Sequence, residues 1–250
     1  KKIENLKVPK TSKLCNTSYN ILVTGIGGTG VVTIGAIIGM AAHIEKKGVS
    51  ILDQVGIAQK GGAVLSHIKI AKDPGNIFST QISPNTTDLL LGCDLVVSAS
   101  KEVRQLLNRK KTIALINNHE TPLSQFVLDP NFSYSTTLTS SLIKNDTIEI
   151  QQINASELAK SLFGDTILSN IFLVGYAYQK GTIPLSKKSI EEAIKINAIS
   201  VEENLSAFSW GRIAAEDLNF VLDKNKIKNN SLDKKITLEE LIKKRYIDLI

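Results

Sequence analysis

Short apolar runs alternate with helix-like stretches over the first half of the chain. Residues Asn20–Thr24 and Val49–Val55 are rich in branched apolar side chains, which is typical of strands buried in a sheet. Between these runs, apolar residues recur with the period of a helix face, at Val31, Ile34, Ile37, Ile38, Ala41 and Ala42. Further strands are predicted at 65–71, 94–100, 112–118 and 147–153, with a short helix at 102–107. This order predicts a three-layer, Rossmann-like α/β fold with a mostly parallel sheet and helices on both faces.

The last third of the chain is predicted to be helical. Asn154 and Glu157 have the spacing of a capping box, which opens a short helix that Gly164 closes. The apolar stretch Ile167–Gln179 is long enough for a buried helix. Asn170 interrupts this stretch, and a hydrogen bond to another buried helix is the favoured interpretation of it. A helical C-terminal part is therefore expected after the α/β part.

A single amphipathic helix is predicted after the buried one. Ser189 and Glu192 have the spacing of a cap at its start. Its apolar face keeps a helical period at Ile190, Ala193, Ile194, Val201, Leu205 and Phe208. Polar and charged segments divide the chain into a linker at 1–18, one domain at 19–222 and a basic linker at 223–250. The last segment begins a further helix, and the sequence stops within it. Because residue 1 is also Lys rather than Met, we expect the chain to be a fragment of a longer polypeptide.

Composition excludes several classes of protein and cofactor. The 250 residues carry a net charge of +6, much of it near the ends, and only 5% are aromatic, so no nucleic-acid partner is expected. Cys15 and Cys93 are too few for a disulfide framework or a four-cysteine iron–sulfur cluster. No apolar run reaches the roughly 18 residues of a membrane span, and no signal peptide is visible. We therefore expect a cytoplasmic location and no membrane partner.

The first strand runs into a glycine loop with the pattern Gly25-x-Gly27-x-x-Gly30, and a helix comes directly after it. Such a loop makes a tight turn, and the amides at the helix start favour a bound phosphate. Asp53 lies 23 residues beyond Gly30, near the end of the second strand, where a dinucleotide site places its ribose-binding carboxylate. A nicotinamide or flavin nucleotide is one interpretation. A turn that serves only close strand–helix packing is the other.

Two further segments with candidate chemistry come after predicted strands at the same end of the sheet. After the second strand come Gln59, Lys60, Gly61 and Gly62, which offer an ammonium group and free amides to an anion. A simple turn is an equally good interpretation of the glycine pair. After the strand at 112–118 come His119 and Glu120, which are acid–base candidates. His67 lies within a strand and is interpreted as a core or edge histidine whose hydrogen bonds are satisfied.

Five separated motifs together resemble a known family. They read ILVTGIGGTGVVTIGAIIGMAAH, LDQVGIAQKGGAVLSHIKIA, DLLLGCDLVVSAS, NNHETP, and NIFLVGYAYQKGTIPLS with AFSWGR further along the chain. Over residues 19–212 this combination resembles the C-terminal, gamma-type domain of indolepyruvate:ferredoxin oxidoreductase, the long fused form of the 2-oxoacid:ferredoxin oxidoreductases. The segment TLEELIKKR resembles the stretch on the C-terminal side of that domain. The resemblance agrees with the expectation of a fragment.

The resemblance implies an activity for the whole enzyme, the oxidative decarboxylation of aryl 2-oxoacids with coenzyme A to an acyl-CoA, CO2 and reduced ferredoxin. It implies thiamine diphosphate, magnesium and 4Fe-4S clusters as cofactors. The implied partners are other domains or subunits of the same oxidoreductase, and ferredoxin through the whole enzyme; a homo-oligomer is also allowed. This chain has no Gly-Asp-Gly motif of the thiamine type and no cysteine cluster. We therefore expect that it binds no cofactor alone, supplies no catalytic residue alone, and is inactive in isolation.

The role that remains for this chain is to support the other parts of the enzyme and to dock against them. We expect the glycine-rich segments to form a face that meets the thiamine-binding parts of the enzyme or an anionic part of coenzyme A. This face comprises Gly25, Gly27, Gly28, Thr29, Gly30, Gln59, Lys60, Gly61, Gly62, Asn118, His119 and Glu120. Two alternatives stay open: a free-standing NAD(P)-dependent oxidoreductase, and an assembly module whose glycine loop binds nothing.

Overall fold

The computed structural model describes residues 6–11, 14, 17–56, 62–119 and 135–224. Within these ranges one sheet contains β1 (Tyr19–Ile26), β2 (Gly48–Val55), β3 (Ala63–Ala71), β4 (Leu89–Gly92), β5 (Ile113–Asn117) and β6 (Glu149–Ile153). Their order across the sheet is β2-β3-β1-β4-β5-β6. Strand β3 runs antiparallel to both of its neighbours, whereas β1–β4, β4–β5 and β5–β6 are parallel pairs. The predicted mostly parallel sheet is confirmed, with β3 as its reversed strand.

Helices cover both faces of the sheet. They are α1 (Val31–Ile44), α2 (Leu95–Ser98), α3 (Lys101–Leu106), α4 (Thr136–Asn145), α5 (Ala155–Phe163), α6 (Ser169–Gln179), α7 (Lys187–Asn197) and α8 (Val201–Glu216). Because successive strand residues point to opposite faces, Ile21 and Val23 enter the core beneath α1 and α5–α8, while Leu22 enters the core beneath α2–α4. The predicted three-layer arrangement and its helical C-terminal part are both confirmed.

The predicted strand at 94–100 is wrong. The buried strand is β4, which ends at Gly92, and Asp94 then caps helix α2. The Asp94 carboxylate accepts a 2.8 Å hydrogen bond from the Val97 amide, so the chain turns into a helix at this point. An apolar run after a strand thus formed a short helix because the preceding aspartate supplied a cap.

The predicted single helix after residue 189 is also wrong. Ser186, rather than Ser189, is the cap, and its hydroxyl accepts a 3.2 Å hydrogen bond from the Ser189 amide. The apolar face is divided between α7 and α8 because Ala198 and Ser200 take left-handed conformations, with φ of 56° and 40°. The helical period continues across this break, which is why periodicity alone did not reveal it.

The predicted cap at Asn154 and the predicted buried helix are confirmed, although Glu157 bonds back to the side chain of Asn154 rather than to its backbone amide. The side chain of Asn154 accepts a 3.0 Å hydrogen bond from the Glu157 amide and donates one of 3.0 Å to the Glu157 carboxylate. Gly164 ends α5 with a φ of 85°. All eleven residues of α6 are buried.

Helices α6 and α8 cross with their backbones in close approach. A Cβ atom on Gly175 would overlap the carbonyl oxygen of Phe208, and a Cβ atom on Gly211 would overlap the carbonyl oxygen of Phe172. Each glycine therefore makes room for the other helix. This reciprocal contact holds α6 in place, and the first turn of α6 reaches the carboxyl edge of the sheet.

The residues before β1 contact the helical part of the domain. Leu6 and Leu14 pack against the core beneath α1, and the carbonyl oxygen of Lys7 accepts a 2.7 Å hydrogen bond from the Gln179 side chain. The further helix predicted in the last segment, around TLEELIKKR, lies outside the described residues. None of the described helices combines the length and the apolar character that crossing a bilayer requires.

Candidate functional site

A pocket of about 370 Å³ opens at the carboxyl ends of β1, β4 and β5. From β1 the chain continues to β2, which lies on one side of β1 in the strand order, whereas β4 lies on the other side of β1. The pocket therefore lies at a topological switch point. Open α/β sheets bind their ligands at such points. Its lining consists of Ile26, Gly28, Thr29, Cys93, Asp94, Asn117, His119, Ser156, Thr166, Ile167, Ser169 and Asn170.

The glycine loop forms the wall of this pocket next to β1. Gly28 and Gly30 have φ values of 84° and 91°, which side chains other than glycine rarely adopt. A Cβ atom on Gly25 would lie 2.5 Å from the Val31 side chain, so this position also needs glycine. The Thr29 hydroxyl donates a 2.7 Å hydrogen bond to the carbonyl oxygen of Ile26 and closes the turn. The predicted strand–turn–helix geometry is confirmed.

The loop is fastened to the helical part by Asn170. The Asn170 side chain is 5% exposed, and its Nδ2 donates a 2.6 Å hydrogen bond to the carbonyl oxygen of Thr29. The prediction of a bond to another helix is therefore wrong, because the partner is the glycine loop. Gly30 begins α1 without a side-chain cap, and the amides of Gly28 and Gly30 have no hydrogen-bond partner among the described residues. These amides remain available to an anion.

Asn117 joins three elements at the centre of the site. Its Oδ1 accepts hydrogen bonds from the amides of Ala155 and Ser156, at 3.0 and 3.4 Å, and so joins the start of α5 to the end of β5. Its Nδ2 donates to the Ser156 hydroxyl at 2.8 Å and to the carbonyl oxygen of Cys93 at 3.3 Å. This 4% exposed side chain thereby fixes the ends of β4 and β5 against the start of α5.

Cys93 and Asp94 come directly after β4 and line the pocket. Burial raises the pKa of the Asp94 carboxyl group, while the amides of Val97 and Val96 counteract that rise. Burial, and secondarily the charge of Asp94, raise the pKa of the Cys93 thiol. The thiol therefore stays protonated at neutral pH and is not an activated nucleophile.

Part of the predicted docking face comes together at this edge. The Gly27 amide donates a 2.8 Å hydrogen bond to the carbonyl oxygen of Gly62, which joins the two glycine segments. His119 lines the pocket, and Asn118 lines two neighbouring depressions, where its Oδ1 has no hydrogen-bond partner among the described residues. Four residues of the predicted face lie outside the described part of the chain: Gln59, Lys60, Gly61 and Glu120.

Asp53 is not placed as a ribose-binding carboxylate would be. Strand β3 separates β2 from β1, so β2 lies about 10 Å from β1 rather than one strand spacing away. Asp53 is exposed on β2 and does not line the pocket. Asp53 therefore does not supply the carboxylate that the dinucleotide interpretation requires beside the glycine loop.

The cysteine count does not fit an iron–sulfur cluster, and the described residues do not fit a divalent metal. The whole sequence has two cysteines, and a cubane cluster takes four thiolate ligands. In the described ranges, no three side chains of histidine, cysteine, aspartate or glutamate are grouped as metal ligands. No chemical step through such a group can be assigned to these residues.

Sequence patterns missed or misplaced three residues of the site, which are Asn117, Asp94 and Asn170. An asparagine at the end of a buried strand is a weak signal of a site residue. Asn117 and Asn118 are adjacent in the sequence and differ only in the face of the sheet to which their side chains point. Asp94 had a local signal, an aspartate before an apolar run, which also marks a helix cap. The partner of Asn170 lies 141 residues away, and no local signal identifies it.

Comparisons with known proteins agree with one another. A family model described as pyruvate ferredoxin/flavodoxin oxidoreductase matches residues 20–214. The chain is 24% identical over 205 residues to indolepyruvate oxidoreductase subunit IorB of Thermococcus kodakarensis, covering 80% of this chain and 97% of that protein. It is 27% identical over 200 residues to the subunit of the same name from Archaeoglobus fulgidus, covering 77% and 92%.

Two solved structures share the fold. The gamma subunit of keto/oxoacid ferredoxin oxidoreductase from Geobacter sulfurreducens has a TM-score of 0.55 and 23% identity, over 79% of this chain and 98% of that one. The 2-oxoglutarate:ferredoxin oxidoreductase of Magnetococcus marinus, solved with 2-oxoglutarate, coenzyme A and succinyl-CoA bound, has a TM-score of 0.61 and 16% identity, over 81% of this chain and 32% of that one. At these identities the likeness shows the fold alone.

Proposed function

The chain belongs to the pyruvate ferredoxin/flavodoxin oxidoreductase family, and from that membership we propose that it is the gamma-type part of a ferredoxin-linked 2-oxoacid oxidoreductase of the indolepyruvate type. The observation that carries this proposal is the nearly full-length match to relatives named as indolepyruvate oxidoreductase subunits, with 97% and 92% of their lengths covered. The gamma-subunit fold neighbour is consistent with it.

The whole enzyme would convert an aryl 2-oxoacid, coenzyme A and two oxidised ferredoxins into an acyl-CoA, CO2, two reduced ferredoxins and a proton. The bond between the carboxylate and the carbonyl carbon breaks, and a thioester bond forms at that carbon. Thiamine diphosphate supplies the carbanion chemistry for this cleavage when it is bound elsewhere in the enzyme. The sequence has neither the Gly-Asp-Gly motif of a thiamine site nor enough cysteines for a cluster, so the contribution that we propose for this chain is to bind and position other parts of the enzyme and to exclude water.

The glycine-rich edge is the surface that carries this contribution. The open amides of Gly28 and Gly30 and the positive end of the α1 dipole favour a negatively charged group, which agrees with an anionic part of coenzyme A or of the thiamine-binding partner. Gly62 lies beside them through its bond to Gly27. Isothermal titration of coenzyme A into the assembled enzyme tests this role, with Gly28→Val as the variant expected to weaken binding at least tenfold. Equal affinity of the wild-type enzyme and the variant for coenzyme A would contradict a role of this edge in anion binding.

The motifs resemble the fused form of the enzyme, whereas the curated relatives are separate subunits. We propose the fused arrangement on the basis of those motifs. An immunoblot of source-cell extract against this chain tests it. A band far larger than 27.2 kDa is expected, and a band near that mass would support a separate subunit instead.

Reconstitution tests the function directly. The chain is assayed for indolepyruvate-dependent ferredoxin reduction alone and together with the rest of the enzyme, and pyruvate and 2-oxoglutarate serve as competing substrates. We expect no activity from the chain alone, and indolepyruvate as the best substrate of the assembly. Saturable micromolar binding of NADH to the chain, without any stimulation by partner proteins, would support a nicotinamide oxidoreductase instead.

A further inference from the structure

The starts of two helices adjoin at the pocket. Helix α1 begins at the glycine loop and α6 begins at Ser169, and the bond from Asn170 to the carbonyl oxygen of Thr29 joins the two starts. A Cβ atom on Gly30 would lie 3.7 Å from the Nδ2 of Asn170. Neither helix has a side-chain cap or an acidic residue in its first turn. Two positive dipole ends therefore lie next to each other, and neither helix supplies a negative charge to balance them.

The first turn of α6 has hydrogen-bond donors that the fold does not use. Ser169 is only 7% exposed and its side chain lines the pocket, but its hydroxyl has no hydrogen-bond partner among the described residues. The amides of Asn170 and Ile171 also have no partner in the described part of the chain. A buried hydroxyl normally has a partner, and a group bound in the pocket would provide one.

These donors lie beside those of the glycine loop. The open amides of Gly28 and Gly30 belong to the start of α1, so the pocket has one set of donors from each helix. The Asp94 carboxylate lines the pocket after β4 and accepts the hydrogen bond of the Val97 amide. Its negative charge disfavours a phosphate nearby, so an anion is favoured on the side of the pocket where α1 and α6 begin.

We propose that the first turn of α6, through the Ser169 hydroxyl and the amides of Asn170 and Ile171, is a second anion subsite. With the glycine loop it holds the diphosphate of coenzyme A. This inference rests on the function proposed above, and it assigns the bound anion to a diphosphate. A diphosphate presents two adjacent charged groups, one for each helix start, whereas a carboxylate of a partner protein presents one. Hydrogen bonds to charged phosphate oxygens are stronger than those between neutral groups.

Isothermal titration of the assembled enzyme tests the subsite. Ser169→Ala should weaken the binding of coenzyme A about tenfold, because it removes a hydrogen bond to a charged group. Ser161→Ala is the matched control, since the Ser161 hydroxyl also lacks a partner among the described residues but does not line the pocket. It should bind coenzyme A as the wild type does.

Related ligands identify the group that Ser169 binds. Dephospho-coenzyme A keeps the diphosphate and should show the same loss in Ser169→Ala. Pantetheine lacks the diphosphate and should bind the wild type and the variant equally. Thiamine diphosphate carries the same group, and its affinity should not change, because the proposal assigns the subsite to coenzyme A. A loss that is equal with pantetheine, that disappears with dephospho-coenzyme A or that affects thiamine diphosphate instead would overturn the assignment.

A second variant separates binding from folding. Ser169→Asp places a negative charge in the first turn of α6, where it favours the helix, so the variant should be at least as stable as the wild type. It should nevertheless bind coenzyme A more weakly than Ser169→Ala does. Unchanged affinity of both Ser169 variants, with weakened binding by Gly28→Val, would overturn the second subsite and leave the proposed function intact. Failure of the assembled wild type to bind coenzyme A would count against both.

Discussion

Asn170 donates a hydrogen bond of 2.6 Å to the carbonyl oxygen of Thr29, across 141 residues of sequence. The bond connects the first turn of the buried helix α6 to the outermost residues of the glycine loop. Because α6 is itself fixed by its glycine contacts with α8, the loop takes its position from the helical half of the domain. The glycine pattern makes the turn, and Asn170 determines where the turn lies.

Replacing Asn170 should therefore destabilise the protein and loosen the loop. Asn170→Ala removes the donor from the Thr29 carbonyl and should lower the free energy of unfolding by about 1–3 kcal/mol. Asn170→Asp should cost more, because a carboxylate oxygen would face that carbonyl oxygen. Urea unfolding of the three proteins measures both effects. Equal stability of the alanine variant would show that the bond contributes nothing to the fold.

Asn117 should be more sensitive than Asn170, since it bonds to more partners. Asn117→Ala leaves the amides of Ala155 and Ser156 without their acceptor and should lower the free energy of unfolding by about 2–4 kcal/mol. Asn117→Asp keeps an acceptor for these amides, so its free energy of unfolding should fall by less. The same unfolding assay ranks the variants, and a reversed order would contradict the role of Asn117 as the acceptor for the first amides of α5.

His67 should make stability depend on pH. It is fully buried on β3, its Nδ1 accepts a 3.3 Å hydrogen bond from the Ile82 amide, and its Nε2 donates to the Gln54 side chain at 3.0 Å. Burial first, and then the charge of Lys69, lower its pKa, while Asp53 raises it. Because the folded protein holds the neutral ring, the stabilisation is present above the unfolded pKa of about 6.5 and is lost as pH falls through the folded pKa.

Unfolding measured between about pH 7.5 and pH 5 tests this dependence. His67→Gln should flatten the decline in stability at acid pH, whereas the exposed His43→Gln should leave it unchanged. A decline that persists undiminished in His67→Gln would assign the acid sensitivity to other groups.

The crossing of α6 and α8 should not tolerate a methyl group. Gly175→Ala would push its Cβ into the carbonyl oxygen of Phe208, and we expect a loss of about 3 kcal/mol or failure to fold. Gly75→Ala is the matched control, since a Cβ there has nothing within 4 Å, and it should change stability by less than about 1 kcal/mol. Thermal unfolding compares the two, and equal melting temperatures would mean that the helices can separate without cost.

The fold could be predicted because its signals are local. Branched apolar runs marked the buried strands, and the period of apolar residues marked α1 and α6. The reversed direction of β3 also had a signal, which was missed: β2 ends at Val55 and β3 begins at Ala63, and parallel strands need a crossover of a dozen or more residues. The position of β3 between β1 and β2 had no such signal, and it separates Asp53 from the glycine loop, so a spacing that fits a dinucleotide site does not build one.

Some of the predicted site residues line the pocket, and the contacts that fix the pocket were not predicted. Glycines at the end of β1 and the histidine after β5 were identified because they lie just beyond strands at the carboxyl edge of a sheet. The contacts that fix them come from Asn117 and Asn170, which are asparagines inside apolar segments. Such residues signal that a buried hydrogen bond exists, but only the tertiary structure identifies the partner.

The chain should be a required, non-catalytic part of a 2-oxoacid oxidoreductase. The most direct test titrates the chain into a fixed amount of the thiamine-binding remainder of the enzyme, while indolepyruvate-dependent ferredoxin reduction is followed. We expect a rate near zero without the chain and a linear rise to a plateau at one chain per partner. A rate that does not change as the chain is added, or activity of the chain without any partner, would contradict this role.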